Sequence, residues 1–293
     1  MILWDYMVVS SDIKQASSAF AQFLKAQKRA SATILAYTND INQLVKFLEE
    51  KGINNINAVN TQVLEEFKTD LEKKGYTAKS ISRKINSLKT FFRFLKKEGI
   101  IENDPAAPVS HPKYTIKPPR ILSKLEYRAL RDACRNDARI YAIVELMLQT
   151  GIRIGEVANL QLEDYKKDEL YIRPFESHEG RSIPLNKAAQ EAIERYLEER
   201  PKVKEKTLFI TKNGRPFLVR NIRSSIERYF EIAGIKDAKV NDLRHTWVYY
   251  HLAAGTPLTT IAKLAGHKRL STTEKYLNLL EGKSQSPTKL QEL

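Results

Sequence analysis

The chain has 293 residues, 42% of them hydrophobic, which is enough for two domains with sizeable cores. Its 49 Lys and Arg exceed its 35 Asp and Glu, giving a formal charge of +14 and a pI near 9.6. That balance suits a polyanionic partner, nucleic acid first and an anionic membrane second, against the plainer reading of a solvated basic surface. The single Cys134 excludes an internal disulfide and a cysteine zinc cluster, and the five His residues lack metal spacing, so no metal is expected. No apolar run reaches membrane-spanning length. The apolar start, Met1 to Val9, is interrupted by Asp5 and has no basic segment before it, so the reading is a cytoplasmic protein without a signal peptide.

Helical patterning begins near Ile13, with Ala16, Phe20, Phe23 and Leu24 on one face. A second helix opens at Ser31 and ends at Gly52, with Ile34, Tyr37, Ile41, Leu44, Phe47 and Leu48 at three- and four-residue steps. A third starts at Asn60-Thr61, turns Val63, Leu64, Phe67 and Leu71 inward, and stops at Gly75. The fourth runs from about Thr77 to Glu98. Ile81, Ile85, Leu88, Phe92 and Leu95 form its buried stripe, and Lys79, Arg83, Lys84, Lys89, Arg93, Lys96 and Lys97 stand against one acid, Glu98. Basic helices ordinarily just face solvent; in a protein this basic, a helix that contacts phosphates is the other reading. These helices make a small bundle over 13–104. Residues 105–121 hold five prolines among basic side chains and read as an extended, semi-rigid linker, either a plain spacer or a strap that touches a DNA backbone.

A second domain, 122–293, opens with Ser123 as an N-cap and Glu126 at capping-box spacing, with Leu125, Leu130 and Cys134 expected on the helix's inner face. Ala142 to Gln149 is strongly apolar and reads as a buried helix that delivers Thr150-Gly151-Ile152-Arg153-Ile154-Gly155-Glu156. Two glycines bracket one Arg there, so the backbone turns tightly beside it; an Arg153–Glu156 salt bridge is the ordinary reading. From Tyr165 the period shifts to two. Leu170–Ile172 and Arg181–Leu185 are expected as antiparallel strands, with a turn at His178–Gly180, and Thr207–Thr211 as a third strand. Helices are expected over Lys187–Glu199 and Val219–Ala233. Val240 to Tyr276 follows, two helices broken at Ala254-Gly255-Thr256-Pro257, with Val248, Leu252, Ile261 and Leu264 as their apolar set. It carries Arg244 beside His245, then His267, then Tyr276. An Arg fork holds a phosphate by two oxygens, a His donates to a third, and a Tyr oxygen can attack phosphorus to form a covalent intermediate. By residue type alone, a Tyr near a helix end is ordinary packing. The polar tail holds Leu290 and Leu293, either as apolar anchors on a neighbouring protomer or as part of a disordered end.

Leu243-Arg244-His245-Thr246, then Gly266-His267, then eight residues to Tyr276, resembles the C-terminal motif of the tyrosine recombinases, the phage-integrase and Xer family. Thr150–Glu156 followed by Leu160, Leu162 and Asp164 is similar to that family's first catalytic-Arg motif. Ser31, Thr33, Tyr37 and Asp40 resemble a pattern of its core-binding domain. The resemblance spans roughly residues 13–280 and implies a mainly α, two-domain fold: an N-terminal four-helix SAM-like core-binding bundle, and a C-terminal helical catalytic domain with a small antiparallel β-sheet. It further implies site-specific breakage and rejoining of double-stranded DNA, with no cofactor, by a homotetramer on two sites. Tyr276 would form a 3′-phosphotyrosyl link and free a 5′-hydroxyl. Arg153 and Arg244 would clamp the non-bridging oxygens, His267 would add a hydrogen bond, and Glu156 would orient Arg153. Lys79, Arg83, Lys84, Lys89 and Arg93 would meet the DNA.

Two positions depart from the family's pattern. Asn241 stands where the family has a His, and Asn cannot take a proton at neutral pH. Glu176 stands where a catalytic Lys is expected. Either the hairpin register differs, or catalysis is slow, or another group donates the proton, His178 two residues on first and Arg173, which holds its proton tightly, second. These departures keep two alternatives open: an architectural or regulatory DNA-binding protein on a recombinase scaffold, and a relaxing enzyme that cuts and reseals without exchange.

Overall fold

The computed structural model describes residues 11–115, 117–174 and 179–281. Glu176, His178, Leu290 and Leu293 lie outside the described residues. The chain divides into two compact units, Met1–Ile116 and Lys117–Leu293.

The first unit is helical: α1 (Ile13–Ala26), α2 (Ser31–Glu50), α3 (Thr61–Lys73) and α4 (Ala78–Lys97). Three of these start behind a side-chain cap. Asp12 accepts from the N–H groups of Lys14 and Gln15, Asn60 from Val63 and Thr77 from Ser80, each cap contributing about 1 kcal/mol. The stripes meet in an aromatic core, where Phe20 packs edge-on against Phe91 and Phe47 lies tilted against Phe67, both at 5.2 Å between ring centres. This core reaches into the expected linker. Ala106 and Val109 are buried in it, and the Thr61 hydroxyl donates to the Pro105 carbonyl at 3.0 Å. The first residues of 105–121 pack because an apolar surface is there to cover.

Lys84 does not face outward as expected; it is 3% exposed. Its ammonium donates to Asp40 Oδ1 at 2.9 Å and Gln43 Oε1 at 2.6 Å, and lies 4.9 Å from the centre of the Tyr76 ring. Asp40, also buried, accepts from Arg83 and from the Ser87 hydroxyl as well. Position 84 adjoins the apolar stripe, and a carboxylate from α2 waits across it, so the lysine turns in. Lys79, Arg83 and Arg93 remain exposed, while Lys89 is half-buried and donates to the Ala107 carbonyl at 3.2 Å. Removing one partner of a buried pair strands the other charge. Lys84→Met is expected to lose about 3 kcal/mol in urea denaturation, and Lys79→Met less than about 0.5. Equal midpoints for the two variants would show that the Asp40–Lys84 pair adds nothing to the unit.

The second unit contains α5 (Lys124–Cys134), α6 (Ala138–Thr150), α7 (Ile154–Asn159), β1 (Tyr165–Lys166), β2 (Glu169–Ile172), β3 (Arg181–Pro184), α8 (Lys187–Glu199), α9 (Val219–Ile232), α10 (Val240–Ala253), α11 (Leu258–Ala265), α12 (Ser271–Glu274) and α13 (Leu277–Glu281). Ser123 and Glu126 form the anticipated capping box, with reciprocal bonds of 3.2 and 2.8 Å. Leu125, however, is 77% exposed. Five residues separate it from Leu130, roughly 140° around a helix, so the two cannot share a face. The central α6 is apolar nearly all round and is covered on most sides, with Ile140, Ile143, Leu146 and Met147 buried. It packs against α8 and α10.

The sheet is antiparallel in the order β1-β2-β3, and the buried Leu170 and Ile183 face each other across β2 and β3. Thr207–Thr211 is not its third strand; β1 holds that place. Thr207 and Ile210 make only isolated bridges, to Gln161 and Pro216. Pro216 has no N–H to continue a ladder, while Leu208 and Phe209 are drawn into the core.

Candidate active site

Three arginines converge on the C-terminal end of α11. Arg181 Nε donates to the Leu264 carbonyl at 2.6 Å, Arg244 Nη2 to Ala265 at 2.7 Å, and Arg153 Nη2 to Gly266 at 2.6 Å. A helix end leaves its last carbonyls without intrahelical partners and carries partial negative charge, so guanidiniums satisfy both needs there. Gly266 closes α11 at φ 64°. A Cβ at that position would lie 2.8 Å from Arg181 Nη1 and 3.2 Å from Arg153 Nη1, so the glycine leaves room for the arginines. Gly151 plays the same part at the end of α6. Its φ is 63°, a Cβ there would come within 2.3 Å of the Trp247 ring, and its carbonyl accepts from Arg244.

One carboxylate serves two of these arginines. Glu156 Oε1 accepts from Arg153 Nη1 at 3.0 Å and Arg181 Nη1 at 2.9 Å; Oε2 accepts from Arg181 Nη2 at 2.8 Å and from the Arg153 backbone N–H at 3.0 Å. Burial pushes the Glu156 carboxyl up, but the hydrogen bonds and charge of Arg181, then Arg153, outweigh it and hold the pKa at about 2. Arg244 is 4% exposed; burial and the charges of Arg153 and Arg181 depress its pKa, with Glu156 opposing. Three guanidiniums gathered around one carboxylate, which pairs with only two of them, leave the site short of negative charge, the condition in which a phosphate binds.

The segment after α11 brings in the remaining groups. His267 Nδ1 lies 2.7 Å from the hydroxyl of the fully buried Thr273. Burial first, then Arg244, Arg153, Arg181 and His245, hold its pKa at about 4, so it is neutral at pH 7 and can donate a hydrogen bond without adding charge. Tyr276, between α12 and α13, is 4% exposed, and its hydroxyl lies 2.5 Å from His245 Nδ1. Burial raises the phenol pKa, the Arg244 charge lowers it, and Asp242 raises it; the phenol is protonated at neutral pH. A cleft of about 730 Å³ opens beside this cluster, lined by Arg181, His267, Lys263 and Lys268 among others.

The structure therefore gathers Arg153, Glu156, Arg244, His267 and Tyr276 in one neighbourhood. Asn241 pairs with His245 rather than with Tyr276; its Nδ2 lies 2.7 Å from His245 Nε2. Arg181, Thr273 and His245 were not marked as site residues by the sequence. Thr273 carried no local signal; Arg181 opened an expected strand, and the Asn241–His245 spacing, one helical turn beside Arg244, was readable.

A buried phenol beside clustered guanidiniums and imidazoles, on this helical scaffold, defines a class, the tyrosine-type DNA strand transferases. The model of the phage integrase family matches residues 120–282, and that of the phage integrase N-terminal SAM-like domain matches residues 18–99. The tyrosine recombinase XerC of Oceanobacillus iheyensis is 31% identical over 277 residues, covering 89% of this chain and 90% of that protein. The tyrosine recombinase XerD of Staphylococcus aureus is 30% identical over 272 residues, covering 89% and 92%. A lambda integrase dimer bound to a COC′ core site shares the fold with a TM-score of 0.76 at 16% identity, over 97% of this chain and 81% of that one. The Tn1549 transposon integrase in complex with a circular intermediate DNA does so at 0.75 and 19%, over 91% and 95%. The chain belongs to the phage integrase family, among the Xer-like tyrosine recombinases.

Proposed function

We propose that this protein is a site-specific recombinase that cuts and rejoins double-stranded DNA through a 3′-phosphotyrosyl intermediate. The observation that carries the reading is the Tyr276 hydroxyl, held at 2.5 Å by His245 within the electrostatic reach of Arg244. Arg153 and Arg244 each keep N–H groups beyond those bound to carbonyls, and with these they grip the non-bridging oxygens and stabilise the charge that grows on them as phosphorus becomes five-coordinate. Neutral His267 donates to the same oxygens. Tyr276 attacks, and the 5′ oxygen departs. The phosphotyrosyl ester conserves the broken bond, so the 5′-hydroxyl of a partner strand reverses the step without a nucleotide. A lambda integrase tetramer bound to a Holliday junction shares the fold at a TM-score of 0.74, and four protomers on two sites is the assembly proposed here. Among the described residues no helix is long and apolar enough to cross a membrane; a cytoplasmic place of work suits a DNA substrate.

A nicked duplex that loses a short downstream fragment bearing the freed 5′-hydroxyl on cleavage traps the adduct, which a denaturing gel then resolves. No adduct would favour an architectural role, for which Asn241 in place of an imidazole is the one supporting observation. Exchange between two labelled sites separates recombination from relaxation. DNA affinity should fall steeply with salt. Arg93→Ala, on the exposed face of α4, is expected to flatten the log K against log salt slope by about one unit, and Lys84→Met not at all. An unchanged slope for Arg93→Ala would place that face of α4 away from DNA.

A further inference from the structure

The α10 helix sets Asn241 and His245 one turn apart on the same face. Asn241 Nδ2, His245 Nε2, His245 Nδ1 and the Tyr276 hydroxyl follow one another at 2.7 Å and 2.5 Å, a hydrogen-bonded line that ends on the nucleophile. Nothing in the phosphate-binding set performs the task at that end. A buried phenol must lose its proton as it attacks, to a neutral acceptor within hydrogen-bond reach. The arginines are cationic and only donate, and His267 is engaged through Nδ1 with Thr273.

We propose that His245 is the general base of the cleavage step and that Asn241 is its positioning residue, selecting which ring nitrogen is free. The proposal rests on Tyr276 being the nucleophile. A carboxamide has a donor end and an acceptor end. With Nδ2 toward Nε2, Asn241 donates, the ring proton sits on Nδ1, and Tyr276 is held as an acceptor in a resting arrangement. With the amide turned over, Oδ1 accepts from Nε2–H and Nδ1 is free to accept from the phenol. In that arrangement the Tyr276 O–H bond breaks and its proton moves to Nδ1. The Oη–P bond forms, the P–O5′ bond breaks, and a solvent water protonates the 5′ oxygen. The resulting imidazolium donates from Nε2 to Oδ1, and it returns the Nδ1 proton to Oη when a 5′-hydroxyl attacks in the reverse step.

The groups around the ring suit a base. His245 meets Asp242, Arg244 and Asn241 on its own helix, Tyr276 after α12, and His267 after α11. Burial lowers its pKa, Asp242 raises it and Arg244 lowers it, with a net fall below the ordinary histidine value. The imidazole is therefore neutral at pH 7, and with the amide turned over its Nδ1 can accept. The family's usual imidazole at position 241 is replaced by a group that serves a second imidazole one turn further on.

The test is single-turnover cleavage of the nicked duplex, from roughly pH 4.5 to 9, a range that brackets an imidazole titration. The proteins are the wild type, His245→Gln, Asn241→Asp and Asn241→Leu, with circular dichroism and DNA affinity confirming that each is folded. The wild-type rate should fall on the acid side as the imidazole protonates. His245→Gln should lose that limb and run about 10²–10⁴-fold slower. Asn241→Asp accepts only, so it fixes the Nε2–H form, favours the imidazolium and moves the limb to higher pH. On a substrate with sulfur at the 5′ bridging position, whose departure needs no acid, the His245→Gln defect should persist, because His245 acts on the nucleophile. A wild-type rate for His245→Gln, an acid limb that does not move in Asn241→Asp, or full rescue by sulfur would each overturn the assignment. If the wild type forms no adduct, the nucleophile reading fails instead. Imidazole ¹⁵N NMR then decides the dyad without turnover: the Nδ1 shift of His245 should differ between wild type and Tyr276→Phe, and the Nε2 shift between wild type and Asn241→Leu. Identical shifts would refute it.

Discussion

Tyr276→Phe is expected to abolish the covalent protein–DNA adduct while leaving fold and DNA affinity in place. The substitution removes one oxygen. The ring stays where it packs, in the cluster of Trp247, Val248, Ile261 and Ala265, and the lost hydrogen bond is the one to His245. Such a bond contributes about 1 kcal/mol net to stability, so the unfolding midpoint should move little. The chemistry has no second route. In the proposed mechanism the other groups hold phosphate or move protons, and phosphorus needs an attacking oxygen. Adduct formation on the nicked duplex should fall by at least about 10⁴-fold, the scale on which removing a nucleophile acts. An adduct at the wild-type level would locate the nucleophile elsewhere and dissolve both the proposed function and the base assigned to it.

Glu156→Gln is expected to cost about 3 kcal/mol at pH 7 and to disable the phosphate site with it. Glu156 is 7% exposed and joins Arg153 to Arg181. An amide keeps the shape but loses the charge, and its NH₂ end meets guanidinium N–H groups, donor against donor. The carboxyl's fall from an ordinary 4.5 to about 2 gives the same size, since lowering a pKa by one corresponds to about 1.36 kcal/mol. The sign follows from that fall. A group whose folded pKa lies below its unfolded value stabilises the fold above the unfolded value, and loses that contribution as pH drops through the folded one. Wild-type stability should therefore decline between about pH 4.5 and 2, and the decline should be shallower in Glu156→Gln. Urea midpoints across that range measure it. A variant as stable as wild type at pH 7 would show that the arginines are held by the α11 carbonyls alone.

Much of the fold was legible in the chain. Ser31, Asn60, Thr77 and Ser123 mark helix starts within a residue of where they fall, because a cap or an opening turn is local chemistry. The stripes of α1 to α4 were readable for the same reason: a helix repeats its faces every few residues wherever it sits. Leu125 shows where such reading fails, since its angle around the helix and not its hydrophobicity decided that it faces out. Thr207–Thr211 looked like a strand, but strand pairing depends on a partner, and the partner of β2 turned out to be Tyr165–Lys166.

The site divides along the same line. Arg153, Glu156, Arg244, His267 and Tyr276 stand in short motifs, and the resemblance of those motifs to the tyrosine recombinases, not their spacing alone, named them as groups that come together. Only the folded molecule set what each one touches. Lys84 resembled its exposed neighbour Arg83 until Asp40, 44 residues earlier, came across from α2. Arg181 reaches Glu156 across 25 residues, and His245 reaches Tyr276 across 31. Periodicity reports that a face is covered, never by what; ion pairs and proton paths form between elements brought together by the burial of their apolar faces, and that choice is made by the whole chain at once.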